Sequence, residues 1–237
     1  MTYPSPGGTS GTMRGYLVQP NGQGPTTVLV IHENRALNPH IEDVARRVAT
    51  EGFLALAPDA LSPVGGYPGN DDDGRTLQAC LDQGKLRNDM VNSARFLKAH
   101  ACLAASSGPR ASGGEAATTN FLAVTLGAEL QAGVPFHGAA AETAAVSAVK
   151  APLLIQYAES DERINALWPT FEAALKASGV QYEMHMYPGT QHGFHITRRR
   201  ATTRRRPSWP GSGRSLSSRS TSPEGRDHHT RTRGFAR

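Results

Sequence analysis

A chain of 237 residues is long enough for one α/β domain with its own core. Its net charge of +5 averages two unlike pieces: residues 196–237 hold twelve Arg, no Lys and two acids, a charge of +10, and residues 1–195 are left at −5. A basic surface suited to nucleic acid is therefore excluded for the body, a disulfide framework or cysteine metal site is excluded by having Cys80 and Cys102 alone, and no run approaches the roughly 20 apolar residues of a membrane span.

Residues 1–13 are rich in Gly, Ser, Pro and Thr and are expected to be irregular, followed by "MRGYLVQP", which alternates like an exposed strand. "TTVLVIHE", residues 26–33, is a β-branched run of the kind buried on both faces of a parallel sheet. "NPHIEDVARRVATEG" starts at a polar cap, places Ile41, Val44, Ala45 and Val48 at helical spacing and stops on Gly52. "FLALAPD" reads as a second buried strand, and "ALSPVGGYPGNDDDGR" as a long loop with its acidic run, residues 71–73, solvated. A cation site there would need further oxygen ligands that the sequence does not supply. "LRNDMVNSARFLKAH" is an amphipathic helix. "LQAGVPFHG" and "APLLIQYAESDERIN" are strands running into loops, "LWPTFEAALKASG" is a helix with a glycine stop, and "QYEMHMYPGTQHGFH" is a last strand with its loop. Strand alternating with helix implies a doubly wound, mostly parallel α/β sheet with its chemistry in the loops after the strands.

Two segments break the pattern. "ACLAASSGPRASGGEAATT", residues 101–119, stands where a central strand is due, yet holds no Val, Ile, Phe or Tyr. Residues 196–237 show no apolar periodicity and are expected to be a disordered, Arg-rich tail beyond a domain spanning 1–195.

The strings "VIHENRALNPHIEDVARR", "GFLALAPDALSPVGGYPGNDDDGR", "APLLIQYAESDERIN" and "YPGTQHGFH" resemble the dienelactone hydrolase family, over roughly 13–100 and 120–195. The resemblance implies an α/β-hydrolase fold and cleavage of a small carboxylic ester or lactone by a nucleophile–His–Asp triad. Such chemistry uses no cofactor and no metal. It implies that Asp161 orients the imidazole of His192, and that His192 shuttles the proton between nucleophile and leaving group. Glu33 matches the carboxylate that contacts the resting nucleophile, and the backbone amide of Asn34 matches one oxyanion donor. Taken alone, an Asp at a strand end reads as a turn-former, a Gly-flanked His as an exposed loop residue, and Glu33 as a helix cap. His32, His137 and His195 read as loop or pocket-edge residues.

The resemblance also exposes a gap. The family's nucleophile is usually a Cys in "GFCxGG", and that column falls at about Gly113. Cys102 is some way upstream, Cys80 lies in a helix approach, and Ser112 is the one conceivable substitute, without the first Gly of an elbow. A typical member continues after its histidine with a helix such as "DTTPRYDEAAAKLAWQRT". One coding of that helix, read one letter out of frame, gives "TRRRATTRRRPSWPGSGR", residues 197–214 of this chain. A frameshift is therefore expected from 196 onward, and a compensated pair of shifts across 101–119. The central nucleophile strand and the closing helix are thereby replaced. Each buried side chain lost contributes about 1.5–3 kcal/mol, against a margin of about 5–15 kcal/mol for a whole domain. A marginal fold without covalent turnover follows. The alternative is a non-catalytic protein whose Arg-rich tail binds nucleic acid. The expected location is the cytoplasm, since no basic-then-apolar leader is visible.

Overall fold

The computed structural model describes residues 1–21, 26–102, 109–112 and 116–194, at 101, 102 and 109–112 for the backbone alone. Residues 195–237, which are His195 and the tail, lie outside the described residues.

Among the described residues, eight strands form one sheet: β1 (Thr2–Ser5), β2 (Gly11–Val18), β3 (Thr27–Val30), β4 (Leu54–Asp59), β5 (Pro109–Ser112), β6 (Gly133–Val134), β7 (Leu153–Ser160) and β8 (Tyr182–Gln191). Their order is β1-β2-β4-β3-β5-β6-β7-β8. The two pairings at the β1 edge are antiparallel and all the rest are parallel. Six α-helices among the described residues accompany them: α1 (Pro39–Thr50), α2 (Asp71–Ala79), α3 (Gln83–Cys102), α4 (Ala116–Leu126), α5 (Glu162–Asn165) and α6 (Trp168–Ala177). The doubly wound α/β expectation holds.

The hydrophobic pattern explains the layering. Every residue of β3 and β4 is buried, as befits strands covered on both faces. α1 lies against β2, β3 and β4, and α3 against β1, β3, β4, β5 and α4. α1 begins where Asn38 accepts a hydrogen bond from the Ile41 amide and Pro39 fills the first turn, and it turns Ile41, Val44, Ala45 and Val48 inward. The core joins Leu29, Ile31, Leu54 and Leu56 to Leu97, Leu122, Ile155 and Leu175.

Three expectations need correction. Residues 1–13 are not irregular: β1 pairs with β2 from Thr2↔Arg14 to Ser5↔Gly11. A buried Asp89 on α3 holds this hairpin, accepting from Ser5 Oγ at 2.5 Å, Thr9 N at 3.0 Å and Thr9 Oγ1 at 2.6 Å. Tyr3 stacks on Phe96 with ring centroids 4.4 Å apart. Such anchors are long-range and invisible to local composition. Residues 71–73 form the first turn of α2, not a loop, because Asn70 caps it by accepting from the Asp73 amide. Finally, the segment judged unable to provide a central strand does provide one. β5 pairs in parallel with β3 from Thr27↔Pro109 to Val30↔Ser112 and with β6 at Ala111↔Gly133 and Ser112↔Val134. Backbone hydrogen bonding to two ready neighbours has overridden side-chain propensity, and Pro109 is tolerated as the first strand residue.

Candidate active site

The parallel register of the last two strands builds the first pair. Ser160 lies opposite Gln191, so the next residue on each strand, Asp161 and His192, emerges side by side at the C-terminal sheet edge. His192 Nδ1 and Asp161 Oδ2 are 2.6 Å apart, a charge-assisted hydrogen-bond length. Asp161 is nearly buried and also caps α5, accepting weakly from the Ile164 amide at 3.4 Å. Asn165 stitches the turn by donating to the carbonyls of Ala158 and Glu159 at 2.9 and 3.1 Å. The histidine loop hangs on the same strand, for the Gly189 amide donates to the Glu159 carboxylate at 2.7 Å. Burial, and after it the Asp161 carboxylate, push the neighbouring Tyr157 phenol up to about 12.

Glu33 and Asn34 come from the loop after β3. His32 fixes that loop, donating from Nδ1 to the Glu33 carbonyl at 2.5 Å and accepting at Nε2 from the Ala60 amide at 3.1 Å. A carbonyl only accepts and an amide only donates, so the proton sits on Nδ1. Gln78 of α2 adds a second clasp, donating to the Glu33 carbonyl at 3.3 Å and accepting from the Ala36 amide at 3.1 Å. Asp71 locks the far end through Arg35 at 3.1 Å, Asn38 at 3.1 Å and Tyr67 at 2.9 Å. Burial alone would raise the Asp71 carboxyl, but the hydrogen bonds from Tyr67, Arg35 and Asn38 outweigh it and hold the group below its ordinary range.

A cavity of about 240 Å³ opens between these loops, lined by Glu33, Asn34, His137, Arg163 and His192, with Ala117, Gly138 and Ala139 from α4 and the loop after β6. That floor lies outside the carboxyl ends of β3, β6, β7 and β8, where open α/β sheets place their ligands. His137, expected as a loop or pocket-edge residue, does line the cavity from the loop after β6, and it is also buried, 2% exposed, with its Nε2 3.6 Å from Glu33 Oε1 and its ring 4.4 Å from that of His192. Its φ of 27° is a sparsely populated conformation for a non-glycine residue. Strain of this kind costs about 1–3 kcal/mol and persists where the surroundings over-determine it. Arg163, unremarked in the sequence, reaches the cavity because α5 starts immediately after Asp161. A histidine directly after a strand, as in "VPFHG", was the one signal that could have marked His137.

Asp161, His192, Glu33 and Asn34 are thus brought together. The nucleophile is not among them. Ser112 ends β5 between Val30 and Val134, which is where a strand-to-helix turn into α4 would begin. Gly113, the family's nucleophile column, lies outside the described residues. Cys80 is exposed at the end of α2 and Cys102 is the last residue of α3, so neither occupies that turn.

Known proteins place this arrangement. The dienelactone hydrolase family model matches residues 13–210. A proposed hydrolase fragment of Escherichia coli, YghX, is 65% identical over 85 residues, which is 35% of this chain and 71% of that protein. A proposed carboxymethylenebutenolidase of Synechocystis sp. is 30% identical over 211 residues, covering 78% of this chain and 82% of its own. In three dimensions, a proposed dienelactone hydrolase from Klebsiella pneumoniae superposes with a TM-score of 0.69 at 23% identity, over 85% of this chain and 90% of the other. An α/β-hydrolase sheet with an Asp–His pair on its last two strands, matched along most of its length, makes this chain a member of the dienelactone hydrolase family of hydrolases.

Proposed function

We propose that the chain is the body of a hydrolase for small carboxylic esters or lactones, with the acid–base half of its site intact and covalent turnover lost. The observation that carries this is the Asp161–His192 contact of 2.6 Å at the rim of the cavity that also holds Glu33 and Asn34. In this reading Asp161 orients the imidazole and stabilises its charged form, and His192 moves the proton between an attacking group and the leaving oxygen. Glu33 is the carboxylate facing the nucleophile position, and the Asn34 amide offers one hydrogen bond to a developing oxyanion. The nucleophile column holds Gly113, which has no side chain to attack. Ser112 stands one position early, and the functional domain ends at about residue 195.

The nucleotide sequence across residues 100–120 and 190–237, joined to an assay, tests the reading. The expected result is a shifted frame that restores a cysteine elbow and an apolar closing helix. Protein made from the restored frame turns over an activated ester with an initial burst, abolished by His192→Ala. The chain as it stands shows no burst and takes no fluorophosphonate label. Stoichiometric labelling of Ser112 in the present chain would overturn the loss of covalent turnover.

The Arg-rich composition of residues 196–237 favours one second reading, a hydrolase-like body that binds nucleic acid through its tail. A genomic frame that encodes the tail as written, with binding that prefers one nucleic acid over other polyanions, would establish it instead.

A further inference from the structure

Four loops, after β3, β6, β7 and β8, contribute one ionisable side chain each to an unbroken line: Glu33, His137, His192 and Asp161. Glu33 Oε1 lies 3.6 Å from His137 Nε2, the two imidazole centroids are 4.4 Å apart at an interplanar angle of 66°, and His192 Nδ1 lies 2.6 Å from Asp161 Oδ2. Two histidines in edge-to-face contact are flanked by a carboxylate at each end. The acid–base pair accounts for Asp161 and His192, but gives His137 no task.

The two rings differ in how they are held. The His192 side chain is 43% exposed, in a loop with glycines at 189 and 193, and Asp161 restrains it from one side only. His137 is buried, and its backbone is fixed from two directions. Its amide donates to the Gln156 carbonyl at 2.8 Å, and a Cβ at the following Gly138 would stand 2.7 Å from that of Ala116. Phe194 packs beside both His137 and Tyr187, at 5.8 and 4.9 Å between centroids. The buried ring therefore offers a fixed aromatic edge to the exposed one.

We propose that His137 is a positioning residue that clamps the His192 ring from its second side. Asp161 holds Nδ1 at 2.6 Å on one side, and the buried His137 ring meets the other side edge-to-face at 4.4 Å between centroids. A ring held between a carboxylate and an aromatic edge keeps one plane, with its second nitrogen aimed at the cavity that it lines.

The proposal rests on reading Asp161 and His192 as the acid–base pair, yet its test needs no turnover, so the two can fail separately. Imidazole resonances of the full chain are followed by NMR, with His32, clasped between the Glu33 carbonyl and the Ala60 amide, reporting an intact fold. The His192 ring is expected to give one sharp environment in the parent chain, an averaged one in His137→Ala, and a sharp one again in His137→Phe, where an aromatic edge returns. A His192 signal indifferent to His137→Ala, or one that His137→Phe fails to restore, would overturn the proposal.

Discussion

His192 depends on backbone that only glycine adopts without strain. Gly189 and Gly193, on either side, have φ of 68° and 80°, in the left-handed region that a Cβ penalises by about 1–2 kcal/mol. Gly193→Ala is therefore expected to lower the unfolding free energy by about 1–2 kcal/mol and to displace the His192 ring from Asp161. A urea titration reads the first effect and the His192 NMR signal the second; an unchanged denaturation midpoint would show that the loop relaxes freely. The same residues explain what the sequence disclosed. Asp161 and His192 each end a strand in a string that stays recognisable over many residues, and adjacent strand ends at equal register must meet. His137 follows a strand of only two residues, and it is held by the Gln156 carbonyl and by the rings of His192 and Phe194. Their nearness is a product of the fold, with no periodicity or spacing to announce it.

α2 illustrates how a helix can be mistaken for a loop and still organise a site. Its approach is crowded with Gly and Pro, so residues 71–73 read as solvated, although Asn70 followed by acids is also a helix start. Asp71 turns back to Arg35, Asn38 and Tyr67, and a Cβ at Gly74 would stand 2.9 Å from the Arg35 carbonyl oxygen. Through these contacts α2 braces the loop that carries Glu33 and Asn34. A carboxyl held below its ordinary range contributes stability above its unfolded pKa and loses it as pH falls through the folded value. Asp71→Asn is accordingly expected to be less stable than the parent near neutrality, with the difference beginning to fade below about pH 4 and gone only below the lowered folded value, where both carry an uncharged group. Urea midpoints measured across pH 3–8 would read this; a difference independent of pH would assign the effect to packing. The β1–β2 hairpin was hidden for a related reason. Its anchor, Asp89, sits on α3, 80 to 84 residues away.

At the scale of the whole molecule, charge and fold belong to different parts of the chain. The sheet, its helices and the cavity are all built from residues that carry −5 together, while the +10 lies beyond residue 195. The sheet's alternation was legible because buried parallel strands are continuous apolar runs, and β5 was not, because its pairing is dictated by β3 and β6 rather than by its own side chains. A strand reading "PRAS" satisfies the backbone ladder but supplies little apolar surface, so low stability remains the expectation even with the topology complete. The tail admits a sharper test. Twelve Arg in a polar composition suffice for counterion-driven adhesion to any polyanion, with affinity falling steeply in salt. The full chain is expected to be retained on heparin at low ionic strength and released as salt rises, whereas residues 1–195 alone pass through. Retention by itself is a consequence of charge and says nothing about purpose. The discriminating measurement is competition at fixed salt. If DNA, RNA and heparin displace the chain in proportion to their charge density, the arginines act as an incidental polycation, as an out-of-frame tail requires. A preference for one nucleic acid that survives matched charge would need contacts beyond phosphate, and would count against a frameshift origin.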